Sequence, residues 1–292
     1  MKAPALNPGP LARVPSGALV LGGIASVQFG SAVATHLFAA VGPAGAVLLR
    51  LVTASIVLVA IARPSVRGHA RRDWQLVVLF GIALAGMNLS FYEALHRIPL
   101  GIAVSLEFVG PLGVAVAGSR RRIDGLWVAL AAAGIIALTN GGTGHLSSLG
   151  IFFALLAGAF WGAYILISAR VGRSFARGTG LAMAMCFAAL VALPFGVAAG
   201  GSRLLTARSL GIGAAVGMLS SAIPYSFELE ALRRIAAHVF GVLMSIEPAM
   251  AALAGLIVLG QGLSGRSIVG MALVVSASIG VSWHTRARPV DV

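Results

Sequence analysis

The sequence predicts an all-α membrane protein with ten transmembrane helices arranged as two inverted five-helix repeats. Three observations lead to this fold class: a composition poor in charge, ten apolar segments of membrane-spanning length, and a similarity between the two halves of the chain. Together they predict one integral membrane transporter domain over residues 1–292.

Composition decides the broad class. Of the 292 residues, 59% are hydrophobic and 10% are charged, whereas soluble chains are about 45–50% apolar and about 25% charged. The net charge of +13 does not predict a nucleic-acid partner, because the basic residues interrupt apolar runs instead of clustering. One cysteine, Cys186, excludes a disulfide framework and a cysteine-based metal site. We predict no cofactor and no metal.

Ten apolar segments follow one another along the chain. About 20 apolar residues cross the hydrocarbon of a bilayer, and short loops of about 5–12 residues separate the segments. They lie at 15–36, 43–62, 74–95, 100–119, 125–140, 149–167, 178–199, 209–229, 236–259 and 267–283. The partner that the whole chain requires is therefore a lipid bilayer.

Arginine positions predict the orientation. With a cytoplasmic N-terminus, sixteen Lys and Arg residues fall in inside loops and tails and only four in outside loops, with Arg50 inside a span. Cytoplasmic loops carry the excess of positive charge. We therefore expect a multi-pass protein of the cell's inner membrane with both termini in the cytoplasm.

An internal repeat appears when the chain is shifted by 137 positions. Residues 93–118 then align without a gap on 230–255, and ten of the 26 positions are identical, including Pro111 over Pro248. Five helices in each repeat give the halves opposite orientations in the membrane. Inverted repeats of this kind are typical of secondary transporters, which bind substrate near the midplane. The repeats are predicted at 15–140 and 149–283.

Two carboxylates fall in the middle of predicted spans. Glu107 lies four residues before Pro111, and Glu247 immediately precedes Pro248. A charged side chain at the bilayer centre costs at least about 2.5–3.5 kcal/mol, so each asks for a partner or a function. The alternative is a structural kink with a neutral, hydrogen-bonded glutamic acid. We predict that both carboxylates bind protons or a substrate ammonium.

Other polar residues are candidates for the same site. Arg50 is predicted either to pair with Glu107 or to receive a substrate carboxylate, and Pro224 is a third helix-breaking proline. Glu93, Glu228 and Glu230 lie towards helix ends, where we expect interfacial positions. Packing without a substrate role remains an alternative for each remaining candidate. The predicted cavity-lining set is Gln28, Asn88, Tyr92, Trp161, Tyr164, Ser221 and Tyr225.

Several enzyme classes lack their motifs. The chain contains no Gly-x-x-x-x-Gly-Lys-Ser/Thr loop for ATP, no His-Glu-x-x-His zinc motif and no Gly-x-Ser-x-Gly nucleophile motif. We therefore expect a protein that is not an enzyme.

Five strings carry a resemblance to a known family. They are GMNLSFY at 86–92, RIPLGIAVSLEFVGPL at 97–112 and GSRR at 118–121 in the first half, with LSSAIPYS at 219–226 and FGVLMSIEPA at 240–249 in the second. These strings resemble the threonine/homoserine exporter family, in the EamA-type branch of the drug/metabolite transporter superfamily. The chain differs from that pattern at Gln261, where a glutamate is usual, and at Glu93 and Glu230, where neutral residues are expected.

The resemblance implies ten helices in two inverted repeats and export of small amino acids or their analogues in exchange for protons. The function predicted is therefore secondary-active, alternating-access export of a threonine- or homoserine-like substrate. Two alternatives remain open: a broad drug or metabolite exporter of the same fold, which would need a larger and more aromatic cavity, and a membrane receptor or scaffold that transports nothing. The sequence allows a homodimer without predicting one.

Overall fold

Helices make up the ordered secondary structure of this protein. The computed structural model describes residues 14–65, 67–117, 123–139, 146–175, 178–232 and 234–284, and no strand occurs within those ranges. The α-helices are α1 (Ser16–Ala34), α2 (Phe38–Ala62), α3 (Arg71–Leu95), α4 (Leu100–Glu107), α5 (Val109–Ala117), α6 (Asp124–Thr139), α7 (Ser148–Ser174), α8 (Thr179–Gly200), α9 (Ala207–Gly217), α10 (Ile223–Leu232), α11 (Ala237–Met244), α12 (Glu247–Leu259) and α13 (Gly265–His284).

In the part of the chain that the structure describes, eight helical segments are long and apolar enough to cross a membrane. Their outer surfaces carry bare apolar side chains, such as Ile56, which is 64% exposed, and Ile257, which is 63% exposed. Lipid, not water, suits such a surface. The segments are Ser16–Ala62, Arg71–Leu95, Leu100–Ala117, Ser148–Ser174, Thr179–Leu205, Ala207–Glu228, Val239–Leu259 and Gly265–Trp283, and Gly125–Thr139 is a shorter apolar helix.

Prolines and one glycine interrupt four of these segments. α4 gives way to α5 at Phe108, three residues before Pro111, and α11 ends at Met244, four residues before Pro248. A π-helical turn, Met218–Ala222, joins α9 to α10 just before Pro224. In α2, Gly42 has a φ of 71° immediately before Pro43. Proline cannot donate a backbone hydrogen bond, so each one frees carbonyls in the preceding turn.

The helices of the two halves interleave. α2 packs along α8, α3 lies against α7 and α8, and α1 lies against α10 and α12. α4 and α5 contact α7, α4 also contacts α12, α2 contacts α9, and α6 pairs with α13. The breaks in α4–α5, α9–α10 and α11–α12 therefore come to the interior of the bundle, where freed backbone groups and polar side chains meet.

Close backbone contact fixes the break between α4 and α5. A Cβ atom added to Gly110 would lie 1.8 Å from the carbonyl oxygen of Gly158, and one added to Gly158 would lie 2.6 Å from the carbonyl oxygen of Glu107. Only glycine permits that approach, and small residues of this kind let membrane helices pack closely. The backbone of Glu107 is thus held against α7.

Candidate functional site

A cavity of about 410 Å³ opens between the interleaved helices. Its walls come from α1, α2, α3, α4, α5, α7, the π-helical turn, α10, α11, α12 and α13. Ten of the residues singled out from the sequence line it, namely Gln28, Arg50, Asn88, Glu107, Pro111, Trp161, Tyr164, Pro224, Tyr225 and Glu247.

Two of the lining carboxylates come from the interrupted helices. Glu107 is the last residue of α4, and Glu247 is the first residue of α12. Both are buried, at 8% and 7% exposure, and both line the same cavity as Arg50. Gln28 on α1 donates from Nε2 to Oε1 of Glu247 at 3.0 Å. The cavity is therefore lined by ionisable side chains from both halves of the chain.

Arg50 is anchored on the π-helical turn. Its Nη2 donates to the carbonyl oxygen of Ser220 at 2.8 Å, its Nε to Oγ of Ser221 at 3.2 Å, and its Nη1 to the hydroxyl of Tyr92 at 3.3 Å. Pro224 explains the first contact, because it has no N–H for the carbonyl of Ser220 one turn earlier. Within the described ranges the guanidinium of Arg50 contacts these three residues and forms no direct salt bridge with Glu107.

A neighbouring carbonyl of the π-helical turn is satisfied in the same way. Ser26 on α1 donates from Oγ to the carbonyl oxygen of Leu219 at 2.6 Å. Side chains of α1 and α2 thus replace backbone donors around Pro224. Of the five guanidinium N–H groups of Arg50, described residues accept from three, and two remain for another acceptor such as a ligand.

Three predicted residues do not line the cavity. Tyr92 is fully buried and faces Arg50, Ser221 accepts the Nε hydrogen bond of Arg50, and Pro248 is buried at the first turn of α12. Their positions support Arg50 and the start of α12 instead of forming the wall. Tyr92 and Ser221, which were predicted to line the cavity, contact Arg50 instead, whereas Pro248 was predicted only as a helix-breaking residue.

Glu228 is a lining residue that the sequence analysis assigned to the interface. It lies in α10, three and four residues after Tyr225 and Pro224, so the three residues share a helix face. It lines the same cavity as Glu247. The spacing from Pro224 was a signal available in the sequence. Ser220, which the sequence places beside Ser221 and Tyr225 near Pro224 as a possible lining residue, also lines the cavity. Ser31, Ser168, Ser278 and Ser282 are lining residues that no sequence pattern singled out.

The other two carboxylates placed near helix ends pair locally. Glu93 forms a salt bridge with Arg97, and Glu230 forms one with Arg234, in each case four residues apart and about one-quarter exposed. The two pairs occupy positions related by the 137-residue shift. They lie outside the cavity lining.

Gln261 has a structural role in this chain. Its side-chain Oε1 accepts a hydrogen bond from the backbone N–H of Leu100 at 2.9 Å. Leu100 is the first residue of α4, so an amide oxygen satisfies a helix-terminal donor that lacks an intrahelical partner. The neutral glutamine is sufficient for this contact and lies outside the cavity lining.

Aromatic rings form much of the remaining wall. Phe108 and Trp161 meet edge to face with centroids 5.1 Å apart, and Tyr164 lies 5.1 Å from Phe80 behind it. Phe91, Tyr225 and Phe240 complete the aromatic lining. Among the described residues, no group of three or more His, Cys, Asp or Glu side chains is placed to hold a metal ion.

Two exporter sequences align with almost the whole length of this chain. The threonine/homoserine exporter RhtA of Escherichia coli strain K12 is 38% identical over 284 residues, which covers 96% of each chain. The chain belongs to the threonine/homoserine exporter family. RhtA of Salmonella typhimurium strain LT2 is 39% identical over 268 residues, covering 91% of this chain and 90% of that relative. The EamA-like transporter family model matches residues 148–283.

More distant likenesses agree with membership of this exporter family. An uncharacterised transporter, YwfM of Bacillus subtilis strain 168, is 27% identical over 224 residues, covering 74% of this chain and 75% of that protein. One solved crystal structure superposes with a TM-score of 0.62 at 20% identity, covering 89% of this chain and 95% of the other. That likeness supports the fold alone.

Proposed function

We propose that the chain exports threonine, homoserine or similar small amino acids across the inner membrane in exchange for protons. The observation that carries this proposal is the cavity, where Arg50 lies among Glu107, Glu228 and Glu247 in a member of the exporter family. The two remaining N–H groups of Arg50 suit a substrate carboxylate, and the glutamates suit its ammonium group. An amino acid would thus bind as a zwitterion.

Ten membrane crossings are part of the proposal. The segment Ser16–Ala62 has 47 residues, which at 1.5 Å per residue is about 70 Å, more than twice a hydrocarbon core of about 30 Å. It fits two crossings, because the 3-10 turn at 35–37 and the non-helical Gly42 before Pro43 interrupt the segment. Counting the shorter helix Gly125–Thr139 as a further crossing brings the eight candidate spans to ten.

Helix packing supports two related repeats. When each crossing is renumbered by five, the contact of α3 with α7 corresponds to that of α10 with α1, and the contact of α3 with α8 to that of α9 with α2. The contact of α4 and α5 with α7 corresponds to that of α12 with α1. An odd number of crossings in each repeat gives opposite orientations, and rocking between such repeats is how many secondary transporters alternate access.

Orientation gives the first testable prediction. Reporter fusions after Arg72, Arg122 and Arg177 should read cytoplasmic, and fusions within 141–147 should read external, because Lys and Arg concentrate in the proposed inside loops. An external signal from the loop that contains Arg122 would remove both the ten-crossing arrangement and the inversion.

Proton exchange fits the chemistry of the cavity. A buried carboxyl group can hold either a proton or a substrate ammonium, and intramembrane carboxylates mark proton pathways in transporters. Competition between the two ligands for one carboxylate would couple inward proton movement to outward substrate movement. The missing ATP-binding loop agrees with a gradient as the energy source.

One observation favours a second candidate function. Six aromatic side chains line the cavity, namely Phe91, Phe108, Trp161, Tyr164, Tyr225 and Phe240. Such a wall also suits a broad exporter of apolar or aromatic metabolites. The zwitterion-binding arrangement of one arginine among carboxylates favours amino acids over such compounds.

Counterflow separates the two candidates. Purified protein in liposomes loaded with unlabelled threonine should take up external radiolabelled threonine without ATP. Excess homoserine should compete, whereas planar aromatic cations and neutral aromatic compounds should not. Equal competition by aromatic compounds would favour the broad exporter, and liposomes without the protein give the background.

A further inference from the structure

Four buried polar atoms in one part of the cavity wall have no hydrogen-bond partner within the described ranges. They are Oε1 of Gln28, Oγ of Ser31, Oγ of Ser220 and Oε2 of Glu247. All four residues line the cavity, and Gln28, Ser31 and Ser220 are at most 2% exposed. Leaving a buried polar group unpaired is costly, so such a cluster in a binding cavity points to a ligand that pairs with it.

α1 contacts both of the other elements that carry these atoms. Gly30 lies against Ser220, since a Cβ atom added there would fall 2.3 Å from its Oγ, and Gln28 reaches Glu247 at 3.0 Å. With about 3.6 residues per turn, Ser31 lies between Gly30 and Gln28 around the axis of α1. Three elements, α1, the π-helical turn and α12, thus contribute these residues to the lining of the same cavity.

The chemistry of the three neutral members fits a hydroxyl group. The hydrogen bond from Gln28 Nε2 to Glu247 fixes the amide so that Oε1 is an acceptor. Serine hydroxyls donate as well as accept, and a ligand hydroxyl does both. A carboxylate would be repelled by Oε1 of Gln28 and by the ionised form of Glu247, and it finds its cationic partner in Arg50 instead. A metal cation at Ser220 would lie close to the Arg50 guanidinium, which donates to the carbonyl of the same residue at 2.8 Å.

We propose that Gln28, Ser31 and Ser220 form a subsite that recognises the side-chain hydroxyl of the transported amino acid. The inference rests on the proposed amino-acid export and adds the basis of its selectivity. A site built to bind a hydroxyl group rejects an isostere without one, because its own polar groups are left unpaired. The aromatic side chains of the cavity then contact the rest of the substrate, and the subsite distinguishes hydroxy amino acids from their apolar isosteres.

Two isosteric pairs test this subsite in counterflow. Valine replaces the threonine hydroxyl by a methyl group, and norvaline does the same for homoserine. The measured quantity is the concentration that halves the uptake of labelled threonine into liposomes. For each hydroxy amino acid this concentration should be at least about 10-fold lower than for its isostere. In Ser31→Ala and Ser220→Ala the ratio should fall towards 1 for at least one pair.

A matched control separates this effect from general loss of a buried serine. Ser105 is fully buried, donates to the carbonyl of Gly101 at 2.7 Å and lies outside the cavity lining. Ser105→Ala should keep the wild-type ratio, and all variants are compared as monodisperse protein. If Ser31→Ala does not fold, Ser31→Cys and the Ser220 variant carry the test.

The results of these experiments distinguish failure of the hydroxyl subsite from failure of the proposed amino-acid export. Absence of labelled threonine uptake by wild-type protein contradicts amino-acid export itself. Uptake with equal inhibition by threonine and valine overturns the subsite and leaves export standing, as does an unchanged ratio in both serine variants. A preference that disappears when sodium is replaced by choline would assign these oxygens to a cation, and would also overturn the hydroxyl subsite.

Discussion

Glu107→Gln should fold and insert normally and lose pH-driven transport. Glutamine keeps the shape and the hydrogen-bonding capacity of the side chain but cannot exchange a proton. Hydrogen bonds to charged groups contribute about 1.5–3 kcal/mol, so substrate ammonium should also bind about 10- to 100-fold more weakly. The measurement is accumulation of labelled threonine in liposomes with and without an imposed pH gradient.

A matched substitution controls for loss of any glutamate. Glu93 pairs with Arg97 outside the cavity lining, so Glu93→Gln should keep the response to the gradient. If Glu107 only stabilises the break between α4 and α5, Glu107→Gln should respond to the pH gradient in the same way as Glu93→Gln. In that case Glu247 becomes the next candidate for the proton-binding group, followed by Glu228.

Arg50→Lys should lower both stability and transport although it conserves the charge. A guanidinium contacts Ser220, Ser221 and Tyr92 at once through a planar fork, and an ammonium group cannot reproduce that geometry. A buried carbonyl left unpaired costs about 1–3 kcal/mol. Thermal unfolding in detergent and threonine counterflow measure the two effects.

Arg170→Lys is the corresponding control. Arg170 is exposed on α7 and donates to the carbonyl of Leu166 in its own helix, so its replacement should change neither thermal unfolding nor counterflow. Wild-type stability in Arg50→Lys would show that charge alone matters at this position. The account of the π-helical turn as the anchor of Arg50 would then be wrong.

Local features of the fold follow from sequence patterns, whereas the pairing of distant side chains does not. Apolar length predicts the helices, and Pro111, Pro224 and Pro248 mark the places where the structure has helix breaks or a π-helical turn. The hydrogen bond between Gln28 and Glu247 joins residues 219 apart. No periodicity along one helix indicates which distant helix it faces.

The individual site residues illustrate the same limit. Glu107, Glu247 and Arg50 are recognisable in the sequence because charge inside an apolar run is costly. Tyr92 has the same polar and aromatic character as Tyr225, yet it lies behind the cavity wall in contact with Arg50. Glu228 lies near the end of a span, but the face that it shares with Pro224 and Tyr225 turns it into the cavity. Helix rotation decides both cases, and packing sets it.

Gradient-driven exchange measures whether threonine movement is coupled to protons. Liposomes containing the purified wild-type protein are prepared with an acidic interior and diluted into alkaline buffer that contains labelled threonine or homoserine, without ATP. Proton-coupled exchange predicts transient accumulation of label above its equilibrium level as protons leave, and its loss when an uncoupler dissipates the gradient. Label that only equilibrates at the same rate with and without the gradient, or that accumulates only with an acidic exterior, would contradict the account.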